Sequence, residues 1–274
     1  MPFPDFDPVI FQIGPFALRW YALAYVAGIA LGWWYAVRLI RSQRIWSPAA
    51  SPITQAQADD LILWITLGII LGGRIGYVLF YRPDLIWTDP LEIPQIWKGG
   101  MAFHGGALGV LVAIVFYARS QKLDMLRLAD LVAPCAPFGL FFGRIANFVN
   151  AELWGRPTNL PWGVVFPTGG PFPRHPSQLY EALLEGIVLF LILRWATHGA
   201  KLLPRRGMVT GLFLLFYGLF RIGVELVREP DFHMPDFPLG LTMGMLLSIP
   251  MALAGAALIL WARRRQETAA AAAE

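Results

Sequence analysis

The stretch Gly143–Gly155, with the sequence GRIANFVNAELWG, carries four side chains that can bind an anion within about three helical turns. They are Arg144, Asn147, Asn150 and Glu152. The stretch follows a long apolar run, and an arginine at the middle of a bilayer costs about 2.5–3.5 kcal/mol on insertion scales. Because a segment that keeps a guanidinium group so close to lipid usually uses it, we take this stretch as the candidate active site.

A second polar set lies along the apolar run that ends at Arg228. With about 100° per residue, Tyr217, Arg221, Glu225 and Arg228 fall within an arc of about 80°, which forms one polar stripe on an apolar helix. Arg221 and Glu225 are one turn apart and can form an ion pair that offsets part of the cost of burial. We expect this stripe to face the interior of a helix bundle.

Two further segments carry groups that can accept protons or form hydrogen bonds. His104 lies in GGMAFHGGALG, where glycine on both sides admits close approach of a substrate; a packing role is the alternative. His175, Gln178 and Glu181 open another apolar run. For Arg74 and Glu181, the alternative to a role in the site is that they are structural partners.

The elements that position these residues follow from the composition. The chain of 274 residues is 57% hydrophobic and 15% charged, which indicates an integral membrane protein. About seven windows of about 20 apolar residues fit along it. The sequence predicts an all-α integral membrane protein, a single polytopic domain over residues 1–274 with a bundle of about seven transmembrane helices. The predicted spans cover about residues 16–39, 60–81, 101–118, 128–149, 176–195, 207–227 and 239–261.

The connections between spans complete the predicted architecture. Residues 150–174 are rich in proline, glycine and tryptophan and are too long for a simple turn, which predicts a small extracytoplasmic cap. The alanine-rich residues 263–274 are expected to form a mobile cytoplasmic tail. Glycine pairs four residues apart, such as Gly68/Gly72 and Gly105/Gly109, predict close helix packing.

Charge placement gives the orientation. Basic clusters alternate with acidic or mixed connections, so the N-terminus is predicted to be extracytoplasmic and the C-terminus cytoplasmic. The polar intramembrane residues then fall in the outer leaflet, while the inner halves are apolar, which argues against a channel. The net charge of +4 is spread over short loops, so no nucleic-acid partner is expected. His104 and His175 lack further ligands at metal-binding spacing, so no metal or other cofactor is predicted.

Arginines without lysines within the second to sixth spans favour phosphate, because planar guanidinium groups bind its oxygens in pairs. The phosphates available at a membrane surface belong to lipid headgroups. The residues alone therefore indicate an enzyme or a binder that acts on a phospholipid from the extracytoplasmic side.

Four segments also carry a resemblance to a known family. GRIANFVNAELWG, FHGG at 103–106, HPSQLYE at 175–181 and FYGLFRIGVELVREPD at 216–231 resemble the prolipoprotein diacylglyceryl transferases over nearly the whole chain. Departures from the family pattern at Ala102, Ala146 and Met245 concern fine contacts only.

The resemblance implies an enzyme of the bacterial cytoplasmic (inner) membrane that begins lipoprotein maturation. It would transfer the diacylglyceryl group from phosphatidylglycerol to the lipobox cysteine thiol of a preprolipoprotein signal peptide, forming a thioether and releasing glycerol phosphate. The catalytic residues would be His104, Arg144 and Arg221. His104 is one candidate for the base that deprotonates the thiol; a phosphate oxygen or Glu225 is the alternative.

The resemblance also implies a wider set of substrate-binding residues. Arg144 and Arg221 would hold the phosphodiester and stabilise the charge on the leaving group, with Glu225 orienting Arg221. The substrate-binding set consists of Tyr21, Asn147, Asn150, Glu152, Gly155, Gln178, Tyr217, Glu225 and Arg228.

Two other functions compete with the transferase. An anionic phospholipid transporter or flippase would need polar residues or broken helices at the midplane and an internal repeat, and the sequence has neither. An intramembrane protease would need a serine in a glycine-flanked elbow or a pair of aspartates within a span, and no predicted span contains either. The transferase is therefore the preferred interpretation.

Overall fold

The computed structural model describes residues 1–4, 6, 7, 9–13, 16–47, 50–230 and 237–271. Within this part of the chain, five helices are long and apolar enough to cross a membrane. They are Trp20–Arg41, Gln55–Tyr81, Met125–Val149, Met208–Glu225 and Met243–Arg265. The prediction of an all-α integral membrane protein is confirmed.

The helices are labelled in chain order. They are α1 (Trp20–Arg41), α2 (Gln43–Trp46), α3 (Gln55–Tyr81), α4 (Leu85–Thr88), α5 (Phe103–Ser120), α6 (Met125–Val132), α7 (Ala136–Val149), α8 (Ser177–Glu181), α9 (Leu189–Arg194), α10 (Met208–Glu225) and α11 (Met243–Ala271). A 3-10 turn, Ala133–Cys135, joins α6 to α7. The π-helical segments Ala182–Val188 and Trp195–Gly199 make α8 and α9 parts of one helix over residues 177–199. This α8–α9 helix and α5 occupy the two remaining predicted spans.

The first helix begins later than the predicted residue 16. Val9–Ile13 (β1) and Phe16–Arg19 (β2) form an antiparallel hairpin, and α1 starts directly after it at Trp20. The β-branched residues of VIFQI favour an extended backbone. The apolar run of the sequence therefore crosses a change of secondary structure that hydropathy alone does not reveal.

The outer surface of α3 is a stripe of exposed aliphatic side chains. Leu63, Leu67, Leu71, Ile75 and Leu79 recur every four residues and are each more than half exposed. Such a stripe would be unfavourable in water but suits hydrocarbon. It supports placement of α3 in a bilayer.

The opposite face of α3 packs closely on α5 through glycines. A Cβ atom on Gly72 would lie 2.8 Å from the Cα atom of Gly109, and one on Gly76 would lie 2.7 Å from the Cα atom of Gly105. Backbones can approach this closely only where side chains are absent. The predicted role of these glycines in helix packing is confirmed.

The connection between α7 and α8 is a folded loop beside the end of α10. Isolated bridges join Gly155 to Arg228 and Arg174 to both Pro157 and Val164. At the other end of the chain, α11 continues to Ala271, and residues 272–274 of the predicted tail lie outside the described part.

Candidate active site

Glu181, at the end of α8, is the centre of a buried ionic cluster. Its side chain has no exposed surface, and its Oε1 atom lies 3.0 Å from Nη1 of Arg221 and 3.0 Å from Nη1 of Arg228. Its Oε2 atom contacts Nε of Arg144. Glu181 therefore gathers guanidinium groups from α7, from α10 and from the residues that follow α10.

Glu225 supplies a second carboxylate to the same cluster. Its Oε1 atom contacts Nη2 of Arg221, as the one-turn spacing predicts, and lies 3.8 Å from Nε of Arg228. Its Oε2 atom accepts a hydrogen bond of 2.5 Å from the hydroxyl of Thr242. Both oxygens of Glu225 therefore have partners. Thr242 holds the carboxylate in place, and the carboxylate orients Arg221 and Arg228.

A hydrogen-bonded group of three residues adjoins the ionic cluster. The Tyr21 hydroxyl donates to Oε1 of Glu152, and Nδ2 of Asn147 donates to the same carboxylate oxygen at 2.8 Å and also to the Tyr21 oxygen. Nη1 of Arg144 lies 3.4 Å from Oδ1 of Asn147 and links the two groups. The predicted site residues from α1 and α7 are therefore brought together.

Gln178 and Gly155 hold the loop after α7 against the helices. Nε2 of Gln178 donates a hydrogen bond of 2.6 Å to the backbone carbonyl of Glu152. The N–H of Gly155 donates to the carbonyl of His175 at 2.8 Å, next to the bridge between Gly155 and Arg228. These two residues contribute to the site by fixing its backbone.

Tyr217 and Asn150 are two further members of the predicted site set. Tyr217 on α10 interacts electrostatically with Glu185, Arg144 and Arg221. The N–H of Asn150 donates to the carbonyl of Ala146 at 3.0 Å where α7 ends. Asn150 therefore contributes to the end of the helix that carries Arg144.

His104 is the second residue of α5, and its side chain lies outside the described part of the structure. Its assignment as the base stays a prediction.

Arg74 does not pair with Glu181. Its guanidinium group donates to the carbonyls of Glu92 at 2.7 Å, Ile93 at 2.6 Å, Gly99 at 2.7 Å and Gly100 at 3.1 Å. It organises the connection between α3 and α5, because four carbonyls of that connection converge on one cation. The alternative that Arg74 and Glu181 are structural partners is therefore wrong.

Two carboxylates of the cluster are missing from the predicted site set. The sequence marks Glu181 as a polar group that opens an apolar run but does not place it in the predicted site set, and Glu185 is not among the predicted residues. Both lie in HPSQLYEALLEG, four residues apart in an apolar run. Because carboxylates within membrane spans are rare and usually functional, this spacing was an available signal.

Three arginines held by buried carboxylates can bind a phosphodiester and stabilise negative charge that develops on it. The side chains of Arg144 and Arg221 are 12% and 13% exposed, whereas the side chain of Glu181 is fully buried. The cations therefore lie on the accessible side of the cluster.

The chain is similar to proteins of one family over nearly its whole length. The family model described as prolipoprotein diacylglyceryl transferase matches residues 8–261. Each of the following relatives is named phosphatidylglycerol–prolipoprotein diacylglyceryl transferase. The relative from Phenylobacterium zucineum is 63% identical, over 98% of this chain and 96% of its own. The relative from Rhizobium meliloti is 55% identical, over 100% and 96%. The relative from Rhodospirillum rubrum is 54% identical, over 98% and 97%. The chain therefore belongs to the prolipoprotein diacylglyceryl transferase family.

Proposed function

We propose that this chain transfers the diacylglyceryl group from phosphatidylglycerol to the lipobox cysteine thiol of a prolipoprotein. Family membership supports this transfer over the flippase alternative. The observation that supports the location of the site is the convergence of Arg144, Arg221 and Arg228 on Glu181 inside the helix bundle.

In the proposed reaction, the cysteine sulfur attacks the glyceryl carbon that carries the phosphate ester. A carbon–sulfur bond forms as the carbon–oxygen bond breaks, and the bonding electrons leave with glycerol phosphate. The thiol proton goes to a base or to the departing phosphate. The difficult step is the growth of negative charge on the phosphate oxygens, and fixed cations lower the barrier to it.

Arg144 and Arg221 are the groups we assign to this phosphate. They come from different helices and are both anchored by Glu181, so they can approach one anion from two sides. Arg228, also anchored by Glu181 and within 3.8 Å of Glu225, would extend the cationic surface toward the headgroup. A guanidinium group anchored in advance needs little reorganisation when charge develops.

Tyr21, Asn147 and Glu152 are assigned to the architecture of the headgroup site. Their mutual hydrogen bonds join α1, α7 and the loop after α7. This arrangement contacts Nη1 of Arg144, one turn from Asn147, while Glu181 contacts Nε of the same guanidinium group.

The base is assigned to His104 or to a phosphate oxygen. Glu225, the third sequence-based alternative, is engaged by Arg221, Arg228 and Thr242. Both of its carboxylate oxygens already have partners, Arg221 on one and Thr242 on the other. This supports an orienting role for Glu225.

The site is proposed to face the extracytoplasmic leaflet of the bacterial inner membrane. Basic residues lie at or just after the ends of α1 and α5 and at residues 263–265 within α11, and the positive-inside rule then places the N-terminus outside and the C-terminus in the cytoplasm. The cluster lies toward the ends of α7 and α10, at the start of the α8–α9 helix. These ends lie on the extracytoplasmic side in that orientation.

The test is a mass measurement on the peptide product. Purified protein in detergent is incubated with phosphatidylglycerol and a lipobox peptide, with a Cys→Ser peptide as the control. We expect a diacylglyceryl mass increment on the cysteine peptide alone. A second assay follows labelled lipid in vesicles that contain the protein. If the cysteine peptide stays unmodified while labelled lipid moves between the leaflets, the protein is a lipid transporter.

A further inference from the structure

Glu185 is a buried carboxylate that the proposed reaction does not use. Its side chain has no exposed surface, and neither of its carboxylate oxygens has a hydrogen-bond partner among the described residues. Its Oε2 atom lies 3.7 Å from Nη2 of Arg144, which is within ion-pair range but beyond hydrogen-bond range. Glu185 therefore acts on Arg144 through charge.

The local backbone is built to bring these two residues together. Glu185 and Gly186 lie in the π-helical segment Ala182–Val188, and such segments occur frequently at functional sites. A Cβ atom on Gly186 would lie 2.7 Å from the Cβ atom of Phe141, so glycine at this position lets α7 approach. Arg144 follows Phe141 by one turn and is thereby placed over Glu185.

Stability does not explain why a carboxylate occupies this position. A buried ion pair often contributes less to folding than apolar side chains of the same volume would, because both charges lose their water. Glu181 already neutralises Arg144 through its Nε atom. The presence of a carboxyl group at this position is therefore better explained by what it does to the direction of the guanidinium group.

We propose that Glu185 is a positioning residue that orients the guanidinium group of Arg144 for the phosphodiester. The proposal rests on the assignment of Arg144 to the phosphodiester made above. Glu181 holds Nε while Glu185 attracts Nη2 from the next turn of the same helix, so the guanidinium plane is fixed at two points. Removal of the second point lets the plane turn, and small misplacements at a reacting centre slow the chemical step.

The proposal predicts a split between the two kinetic parameters. Glu185→Gln removes a negative charge beside an anion site, so it does not weaken attraction of the anionic lipid in the ground state. It loosens Arg144 only where orientation matters, in the transition state. We expect kcat to fall about tenfold while KM for phosphatidylglycerol does not rise.

The experiment compares the wild type, Glu185→Gln, Glu185→Asp and the control Thr197→Val, all as full-length protein in detergent with saturating peptide. Thr197 is fully buried on the same helix and donates to the carbonyl of Arg194, away from the cluster. We expect Glu185→Asp to retain more activity than Glu185→Gln because it keeps the charge. Thr197→Val should match the wild type.

Several results would overturn the proposal. An unchanged kcat in Glu185→Gln, or a raised KM with unchanged kcat, would remove the positioning role. A large drop in melting temperature of the same variant would show that Glu185 supports the fold instead. If the wild-type protein forms no adduct, the proposed function itself is rejected. If Glu185→Gln is fully active, only the positioning role of Glu185 is rejected and the proposed function stands.

Discussion

Asp130 Oδ1 accepts two hydrogen bonds from Thr210, one from its backbone N–H at 2.7 Å and one from its hydroxyl at 2.8 Å. Oδ2 of the same carboxylate accepts the N–H of Gly207 at 2.5 Å. Asp130 lies on α6 and has no exposed surface, so it caps the start of α10 from another helix. The far end of α10 carries Arg221 and Glu225, and this cap fixes the helix that positions them.

Asp130→Ala is expected to destabilise the protein. The variant leaves the N–H groups of Gly207 and Thr210 buried without their acceptor, which costs about 1–3 kcal/mol. Thermal unfolding in detergent measures the effect. Asp60→Ala, at an exposed position, should change stability by less than about 0.5 kcal/mol. Equal melting temperatures for the two variants would contradict the capping role.

Glu181→Gln is expected to be far more damaging to stability than Glu185→Gln. The first variant leaves three guanidinium groups without their shared, fully buried anion, and breaking a buried pair in this way costs about 3–5 kcal/mol. Glu185 makes no hydrogen bond with the described residues, so the second variant loses only a distant attraction. Chemical or thermal unfolding of the two proteins side by side decides the matter, and equal losses would reject Glu181 as the centre of the cluster.

Arg144→Ala is expected to abolish transfer in a protein that still folds. Loss of one preorganised donor to a developing oxyanion lowers kcat by about 10²–10³, and Arg144 contributes to both the ionic cluster and the Asn147 contact. The matched control is Arg82→Ala, whose exposed guanidinium pairs with Asp84 at 2.9 Å. Wild-type activity in Arg144→Ala would remove Arg144 from the site.

Gly244→Ala on α11 is expected to impair the enzyme through Glu225. An added methyl group would collide with the carboxylate of Glu225 and displace it from Arg221 and Thr242. We expect a loss of activity of about tenfold or more. Gly223→Ala on α10 is the control, because within the described part of the chain no atom outside its own stretch of helix lies within 4 Å of the added Cβ atom. Similar activities for the two variants would show that the position of Glu225 is unimportant.

Stability should depend on the protonation of His175. Burial lowers the pKa of His175 below its ordinary value, so the unfolded chain binds a proton at a higher pH than the folded protein does. The contribution of His175 is therefore complete above the unfolded pKa of about 6.5 and is lost as the pH falls through the folded value. The melting temperature of the wild type should drop more between pH 7.5 and 5.5 than that of His175→Asn. Parallel curves would contradict this.

The residues that share one helix could be predicted from the sequence. The pairing of Arg221 with Glu225 follows from helical periodicity, and the structure confirms it. The predicted helical stripe does not continue to Arg228, because α10 ends at Glu225 and Arg228 forms a bridge with Gly155 after the helix. The contact between Arg144 and Asn147 follows from the same rule. Local spacing sets these relationships, so they need no knowledge of how helices pack.

Relationships between helices could not be predicted in the same way. The central place of Glu181 depends on how the α8–α9 helix faces α7 and α10, and periodicity says nothing about that. The partners of Arg74 are backbone carbonyls, which every residue has and no sequence pattern marks. The hairpin before α1 could not be predicted from hydropathy, because its strands are as apolar as the helix that follows.

The dependence of three arginines on Glu181 also bears on biosynthesis. The nascent chain delivers Arg144 and Glu181 to the membrane before α10 emerges, and Arg221 and Arg228 arrive only with the later part of the chain. A chain that stops before Gly207 contains Arg144 but lacks Arg221 and Arg228. The ionic cluster around Glu181 can therefore form only after α10 and the residues that follow it are in place.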